Sequence, residues 1–562
     1  MRNYWSSAPV GATWRRMLAP PAVLGVVIAL AAGASASPQA ASRPDAFAPG
    51  AVAIRPASGP WADLPGSPLR GRAGPLAVRA GRRMIGRGGS GGTVRAAHTS
   101  ALAPASAHAV SSWGQAIEVP GLAALNAGGN AGVAEVSCTA AGDCAAVGSY
   151  RDSDRHDQGF VDGEWHGHWG QAREMPGLGA LNKGGQAIVW SVSCASPGNC
   201  AAGGFYRDRH RHYQGFVAVE RHGHWGQAIE VPGLGALNKG GEAAVAWVSC
   251  GSVGDCAAGG YYRDRHRHSQ GFVAVERHGH WGRAIEVPGL GALNKGEDAG
   301  VDAVACASPG NCTVGGFYRD HHRHYQGFLA AERHGRWGRA IEVPGLGALN
   351  QGYAGVTAVG CASAGNCAAG GYFANDVVLR DIGGLFLVGE RGGRWRKAVA
   401  MSADGAPSSI SCTSAGNCVA GGQAACENCY FFVGDAFVAQ ERAGRWGSVG
   451  SIPGLRKLEH YVDPEIAGSW ANSVACTSAG NCAAGGGYEY KNHDHGFVAV
   501  ERNGVWAKAI EVPGLEALNA GRGGAGVMDL SCGSVGDCAA GGYYRDSDQH
   551  YQGFVAVERN GA

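Results

Sequence analysis

The chain is 562 residues long, a length that on its own suggests about three or four domains. Glycine supplies 96 of those residues and charged side chains only 16 %. Helix-rich folds are disfavoured, because each interior glycine costs a helix about 1 kcal/mol. There is no Gly-X-Y period, which excludes collagen, and 45 % hydrophobic residues with 15 tryptophans argue against bulk disorder. A formal net charge of +2 gives no electrostatic case for a nucleic-acid partner.

Residues 1–36 read as a secretory signal peptide. Arg2, Arg15 and Arg16 are its basic region, Leu18 to Ala32 its apolar stretch, and Ala34-Ser35-Ala36 its small-x-small cleavage pattern. Pro20, Pro21, Gly25 and Gly33 make the same stretch a poor membrane helix, and no other segment is apolar for long enough to span a bilayer. A secreted, extracellular protein without a membrane span is expected. Residues 37–112 form an Ala/Pro/Gly/Ser/Arg-rich zone with no apolar period, a disordered linker with nine arginines against Asp45 and Asp63. It is a solubilising tether or an adhesive for an anionic envelope.

From Trp113 to residue 562 one unit recurs eight times. Tryptophans 113, 169, 225, 281, 337, 395, 446 and 506 mark its phase, and Cys-x5-Cys pairs mark it again. Each unit holds four short β-favouring runs, the last two joined by His-Gly, Gly-Gly, Ala-Gly or Asn-Gly, which suits a two-residue hairpin with positive φ. Four antiparallel strands repeated eight times predict an all-β, eight-bladed β-propeller. In regular units the tryptophan follows the second cysteine by 25 residues, as from Cys200 to Trp225. Counting 25 from Cys538 runs one position past the end, whereas Trp113 to Val119 is a fourth strand without a unit. The N-terminal strand is therefore expected to complete the last blade and close the ring.

The small-residue run, the doublets Gly203-Gly204 and Gly259-Gly260, and the later Trp resemble a kelch-type propeller repeat. Val219 stands where that pattern has a Tyr, and the cysteine pairs are additional to it. The unit is more similar to the Ser-Cys-x-Ser-x-Gly-x-Cys repeats of secreted actinobacterial propeller proteins. The resemblance implies the fold and transfers no activity.

In an exported chain, cysteines at a fixed period read as disulfides. The expected pairs are Cys138–Cys144, Cys194–Cys200, Cys250–Cys256, Cys306–Cys312, Cys361–Cys367, Cys412–Cys418, Cys476–Cys482 and Cys532–Cys538, with Cys426–Cys429 as a ninth. A ring this small stabilises by roughly 2–2.5 kcal/mol in the loop-entropy picture. Structural zinc prefers shorter spacings, so these cysteines are read as staples.

Loops after the second and fourth strands share one rim of the disc. That rim gathers Arg207, Asp208, His210, His212 and Tyr213; Arg263, Asp264, His266 and His268; Arg319, Asp320, His322, His324 and Tyr325; and Arg545 and Tyr551. Aromatic faces suit sugar rings, and Arg with Asp suits polar groups, so these are the candidate ligand-binding residues. The alternative is a solvated charge mix. The His-x-His pairs could take Zn²⁺ or Cu²⁺, but the flanking arginines oppose a cation, and no metal or cofactor is expected. Imidazoles gain charge in mild acid, so acid would charge the disc.

Blades five to seven break the symmetry, and Asp381, Glu459 and Asp463 are the least unsuitable catalytic candidates there. No GxSxG, HExxH, P-loop or dinucleotide motif is present. The expected function is a secreted, non-catalytic binding module for a glycan, a cell-envelope component or an extracellular protein, as a monomer. A polysaccharide hydrolase or lyase is the alternative.

Overall fold

The computed structural model describes residues 113–374, 384–425, 434–459, 468–491, 493–520 and 524–559. The signal-peptide and linker readings, and the Cys426–Cys429 pair, lie outside them. Eight antiparallel sheets follow one another along the chain, each running in order from first strand to fourth. In the second blade the strands are Ala187–Ser196, Asn199–Arg207, Tyr213–Arg221 and a broken fourth, His224–Trp225 with Ile229–Glu230. First strands of successive blades touch one another in a closed circuit, the last meeting the first, which makes them the inner wall of an eight-bladed propeller.

Closure is as the strand count requires. Ile117 and Glu118 pair with Val555 and Phe554, and Trp113 bridges Glu558, so the N-terminal strand is the fourth strand of blade eight. Glu118 also accepts a hydrogen bond from the Tyr544 hydroxyl at 2.5 Å, the counterpart of the bond between Tyr206 and Glu230 inside blade two. A strand 426 residues away thus reproduces a contact that other blades make locally.

The glycine doublets have a specific cause. The first strand of every blade carries a bulge, in blade two between Val189 and Ser191. The bulge presses a carbonyl against the second strand, and a Cβ at Gly204 would sit 2.0 Å from the Ile188 oxygen. The companion Gly203 faces the next blade, where a Cβ would lie 2.6 Å from Val245 Cγ1. One glycine lets strands approach within a blade and the other lets blades approach each other. The hairpin tips bear out the positive-φ expectation, with His222 at 51° and Gly223 at 80°.

Apolar packing lies between the blades. The third strands each contribute a fully buried phenylalanine, from Phe160 and Phe216 round to Phe554, each stabilising by roughly 1.5–3 kcal/mol. The eight regular Cys-x5-Cys disulfides are formed, each joining directly opposed residues of the first two strands, and no free cysteine is found among the described residues. They fit an oxidising environment. The Ser preceding the first cysteine has a separate task. Ser137 Oγ accepts from Cys194 N at 2.9 Å, Ser193 from Cys250 N at 3.0 Å, and Ser249 from Cys306 N at 2.9 Å, so this serine links one blade to the next.

A second circuit uses the Glu-Arg that ends the third strand of every blade but the first, which ends Glu164-Trp165. Arg221 reaches Glu276 of the following blade, Arg277 reaches Glu332, Arg333 reaches Glu390, Arg391 reaches Glu441 and Arg502 reaches Glu558. Arg559 closes the circuit onto Glu164. Between blades six and seven, Gln440 donates to Glu501 while Arg442 stands 3.9 Å away. The glutamates are buried and the arginines about a third exposed or less, Arg442 excepted. Burial pushes the Glu332 carboxyl up, and Arg277 only partly brings it back.

Replacing Arg277 with Ala strands that buried carboxylate and is expected to destabilise the oxidised protein by about 2–3 kcal/mol. Because the unpaired acid favours its protonated form, the loss in urea midpoint should be larger at pH 8 than at pH 5. An equal loss at both would contradict this account of the seam.

Candidate functional site

The loops between second and third strands are built around one aspartate. Asp208 Oδ1 accepts from the backbone N–H of His210 at 2.8 Å and of His212 at 2.9 Å. Asp264 makes the same pair of bonds, and Asp320 accepts from His324 N. This turn places Arg211, Arg267 and Arg323 in the left-handed region, each at φ 66°. Burial works against the Asp208 charge, but the His212 N–H, the Gln214 amide and the His210 N–H together hold its carboxyl below the ordinary value. The aspartates therefore organise the loops.

A polar relay ties each loop to the next blade. Asn238, closing the Pro-Gly-Leu-Gly-Ala-Leu-Asn connection, donates to the Tyr213 carbonyl and the Gln214 side chain, both at 2.9 Å, and its Oδ1 accepts from Glu242 N at 2.8 Å. Asn294 and Asn350 repeat the arrangement.

The tyrosines pack inward. The Tyr213 hydroxyl donates to Gln186 and that of Tyr325 to Asp298, both at 2.7 Å. Arg207, Arg319 and Arg545 lie over the rings of Tyr213, Tyr325 and Tyr551 at 5.4–5.6 Å. Tyr325 is only 5 % exposed. Tyr213 and Tyr551 are half-buried beneath their arginines.

The histidines lie in pairs, of which His266 and His268 are stacked and the other two tilted. His266 and His268 lie 5.6 Å apart, His210 and His212 6.2 Å, and His322 and His324 6.0 Å. The first of each pair is exposed, while the second lies beside its loop aspartate or the neighbouring connection. His268 also meets Glu297 at 3.1 Å. Among the described residues no group of three or more His, Cys, Asp or Glu side chains is placed to hold a metal ion.

Charge is distributed unevenly round this rim. Blades two to four expose Arg209, Arg211, Arg265, Arg267 and Arg323, and Lys183, Lys239 and Lys295 project from their entry connections. Blades eight and one carry Asp548, Asp154 and Arg155 at the matching loops. The result is a basic arc on three adjacent blades of a disc whose residues 113–562 sum to a formal charge of −8. The sequence reading named the arginines of the loops but passed over the three lysines, whose Asn-Lys-Gly spacing was the available signal.

It also missed the inner wall. Trp190, Asp302 and Asn472 sit at the first-strand bulges of blades two, four and seven. Burial and then Asp298 push the Asp302 carboxyl to about 7. Burial raises Asp529 to about 6 and Glu135 well above its ordinary value, the latter also through Asp529. Both acids accept a backbone N–H from the next blade, Asp529 from Val136 at 2.9 Å and Glu135 from Val192 at 2.6 Å. An acid interrupting an apolar first strand, as in Val133-Ala-Glu-Val136, was the signal. Of the proposed catalytic acids, Glu459 is buried at the end of a short helix, and Asp381 and Asp463 lie outside the described residues.

No family model and no curated protein matches the chain. Among solved structures it is similar to Chaetomium thermophilum Sqt1 bound to the N-terminus of ribosomal protein L10, at 12 % identity and TM-score 0.44, over 76 % of this chain and 97 % of that one. A PL25 ulvan lyase gives 10 % identity and TM-score 0.40 over 79 % and 96 %. The GH74 xyloglucanase of Xanthomonas campestris gives 12 % and 0.36 over 77 % and 74 %. The propeller assignment rests on the sheet order and ring closure above. No helix among the described residues is long and apolar enough to cross a membrane.

Replacing Asp208 with Ala frees two loop N–H groups. Hydrogen exchange at residues 209–212 should quicken at least tenfold, with a change of about 1 kcal/mol or less in global stability. Since its carboxyl is held low, the wild-type loop should stay ordered at neutral pH and loosen only as pH falls below about 4. Unchanged exchange in the variant would contradict the role given to this aspartate.

Proposed function

We propose that this protein is a secreted, non-catalytic binding module, acting as a monomer, whose basic arc on blades two to four holds an acidic glycan or cell-envelope polymer. The observation that carries this reading is the repetition itself. Three neighbouring blades present the same Arg/His loop, held at a fixed spacing by the Asp turn and the Asn relay, with a lysine beside each. A polymer carrying one negative charge per unit can engage several such loops at once, and weak contacts then add through effective concentration. Tyr213, Tyr325 and Tyr551 contribute by supporting Arg207, Arg319 and Arg545 from beneath. Asp208, Asp264 and Asp320 contribute by shaping the loops.

The alternative is a hydrolase or lyase acting on polysaccharide. It needs a carboxylate pair available for proton transfer. Glu135 and Asp529 are the nearest to such a pair, and each is engaged with a backbone N–H across a seam. The binding reading is therefore preferred.

Polygalacturonate, an acidic polymer, should bind the full oxidised chain with an affinity that falls steeply between 50 and about 300 mM salt, as expected for contacts between fixed charges. Neutral dextran should not bind. The triple change Arg209→Glu, Arg265→Glu and Arg323→Glu should weaken binding at least tenfold. Equal binding by the variant would shift the interaction to the arginines of residues 37–112, and cleavage of the polymer would favour the enzyme.

A further inference from the structure

The Glu-Arg circuit has one gap. Seven of the eight seams pair a buried glutamate with an arginine, or with Gln440 and Arg442, from the preceding blade. At the seam between blades one and two the acid is present as Glu220, but the preceding blade supplies Trp165 where the others supply arginine. Glu220 is 4 % exposed. Among the described residues no side-chain hydrogen bond and no ion pair within 4 Å reaches its carboxylate, and Arg173 is the cation that acts on it from farther off. That carboxylate lines a small cavity together with Trp165, Gly163, Glu164, Asp143 and Gly198.

The indole occupies the ground the missing guanidinium would cover. At other seams the arginine lies against the hairpin glycine of the next blade, as Arg221 does at Gly279, and Arg391 lies against both Gly416 and Gly444. Trp165 lies against the equivalent glycines, Gly198 and Gly223, yet remains 39 % exposed. An indole has a π face that attracts cations and one N–H, and it cannot supply the fork of donors that a carboxylate receives from arginine.

We propose that the seam between blades one and two is a binding site for an alkylguanidinium group, taken between the Glu220 carboxylate and the face of Trp165. The chain itself shows the fit, because the same slot holds a guanidinium at its sister seams. The site lies by the disulfide turns and hairpin tips, on the face opposite the basic arc, so it is distinct from the polymer-binding surface and does not depend on it. The guanidinium can come from a free small molecule or from an arginine side chain of a partner protein. Trp165 must tilt outward to admit it, which its exposed position allows.

Burial pushes the Glu220 carboxyl to about 7, and Arg173 of blade one only partly offsets this. Other charged groups at the cavity are Glu164, already paired with Arg559, and Asp143. A guanidinium is held by the ionised form, so uptake should strengthen from pH 6 to pH 8.

Isothermal titration of the full oxidised chain with N-acetylarginine amide at pH 8 should show saturable one-to-one binding. The isosteric but uncharged N-acetylcitrulline amide should show none. Glu220→Gln and Trp165→Arg should each weaken the arginine signal at least tenfold, and Trp165→Arg should also raise the thermal midpoint, since it fills the slot from within. Repeating the titration with Gly-Arg-Gly separates the sources: tighter binding than the free amide favours a partner's side chain, and weaker binding favours a small molecule. Absence of saturable binding, or equal binding by wild type and Glu220→Gln, would overturn the proposal. Should Trp165→Arg fail to fold, Glu220→Gln and the citrulline control decide it alone.

Discussion

The contact on which this molecule depends is the pairing of Ile117 and Glu118 with Val555 and Phe554. A single four-stranded blade has two apolar faces, and both must be covered by neighbours. In an open row the end blades would each expose one such face and an unpaired edge. Closing the row removes both liabilities, and here it is done by a strand from the opposite end of the sequence. The buried phenylalanines then act at every seam, the Glu-Arg circuit at seven of the eight and the serine links at five, because no seam is an end.

Much of this was legible in the sequence, because a repeat states each requirement eight times. The periods of tryptophan and cysteine located the blades, and the strand deficit after Cys538 located the closure. The Gly doublets marked positions where side chains cannot fit, although their reason, a bulged first strand pressing Ile188 O onto Gly204, needed the register. Long-range roles were not legible. Glu276 and Arg221 are 55 residues apart, so nothing local distinguishes a seam bridge from a strand end that simply became polar. Asp208 is a candidate ligand contact because its neighbours are Arg and His, but its part in the loop, Oδ1 accepting backbone N–H groups two and four residues ahead, was not legible. Repetition also hid the exceptions: Trp165 in the place of an arginine becomes conspicuous only once the arginines have partners.

The two faces of the disc differ in how they use charge. On the loop face the cations are exposed, repeated and held at fixed spacing, which favours many weak contacts with an extended anion. On the hairpin face the Glu-Arg charges are turned inward and neutralised seam by seam, and Glu220, which lacks the arginine its sister glutamates have, is accordingly unusual. In the proposed reading, binding on the first face comes from repetition, and on the second from a departure from it. The near-neutral charge of the whole chain is a sum of opposites, since a strongly basic N-terminal segment offsets a propeller of −8.

Ring closure is the claim that all of this requires, and hydrogen exchange tests it most directly. A chain lacking residues 1–119 is compared with the full protein, both oxidised. The account predicts that strand Tyr551–Glu558 loses its protection while the corresponding strand Tyr213–Arg221 of blade two keeps it. Equal protection of Tyr551–Glu558 in the two proteins would contradict closure by the N-terminal strand.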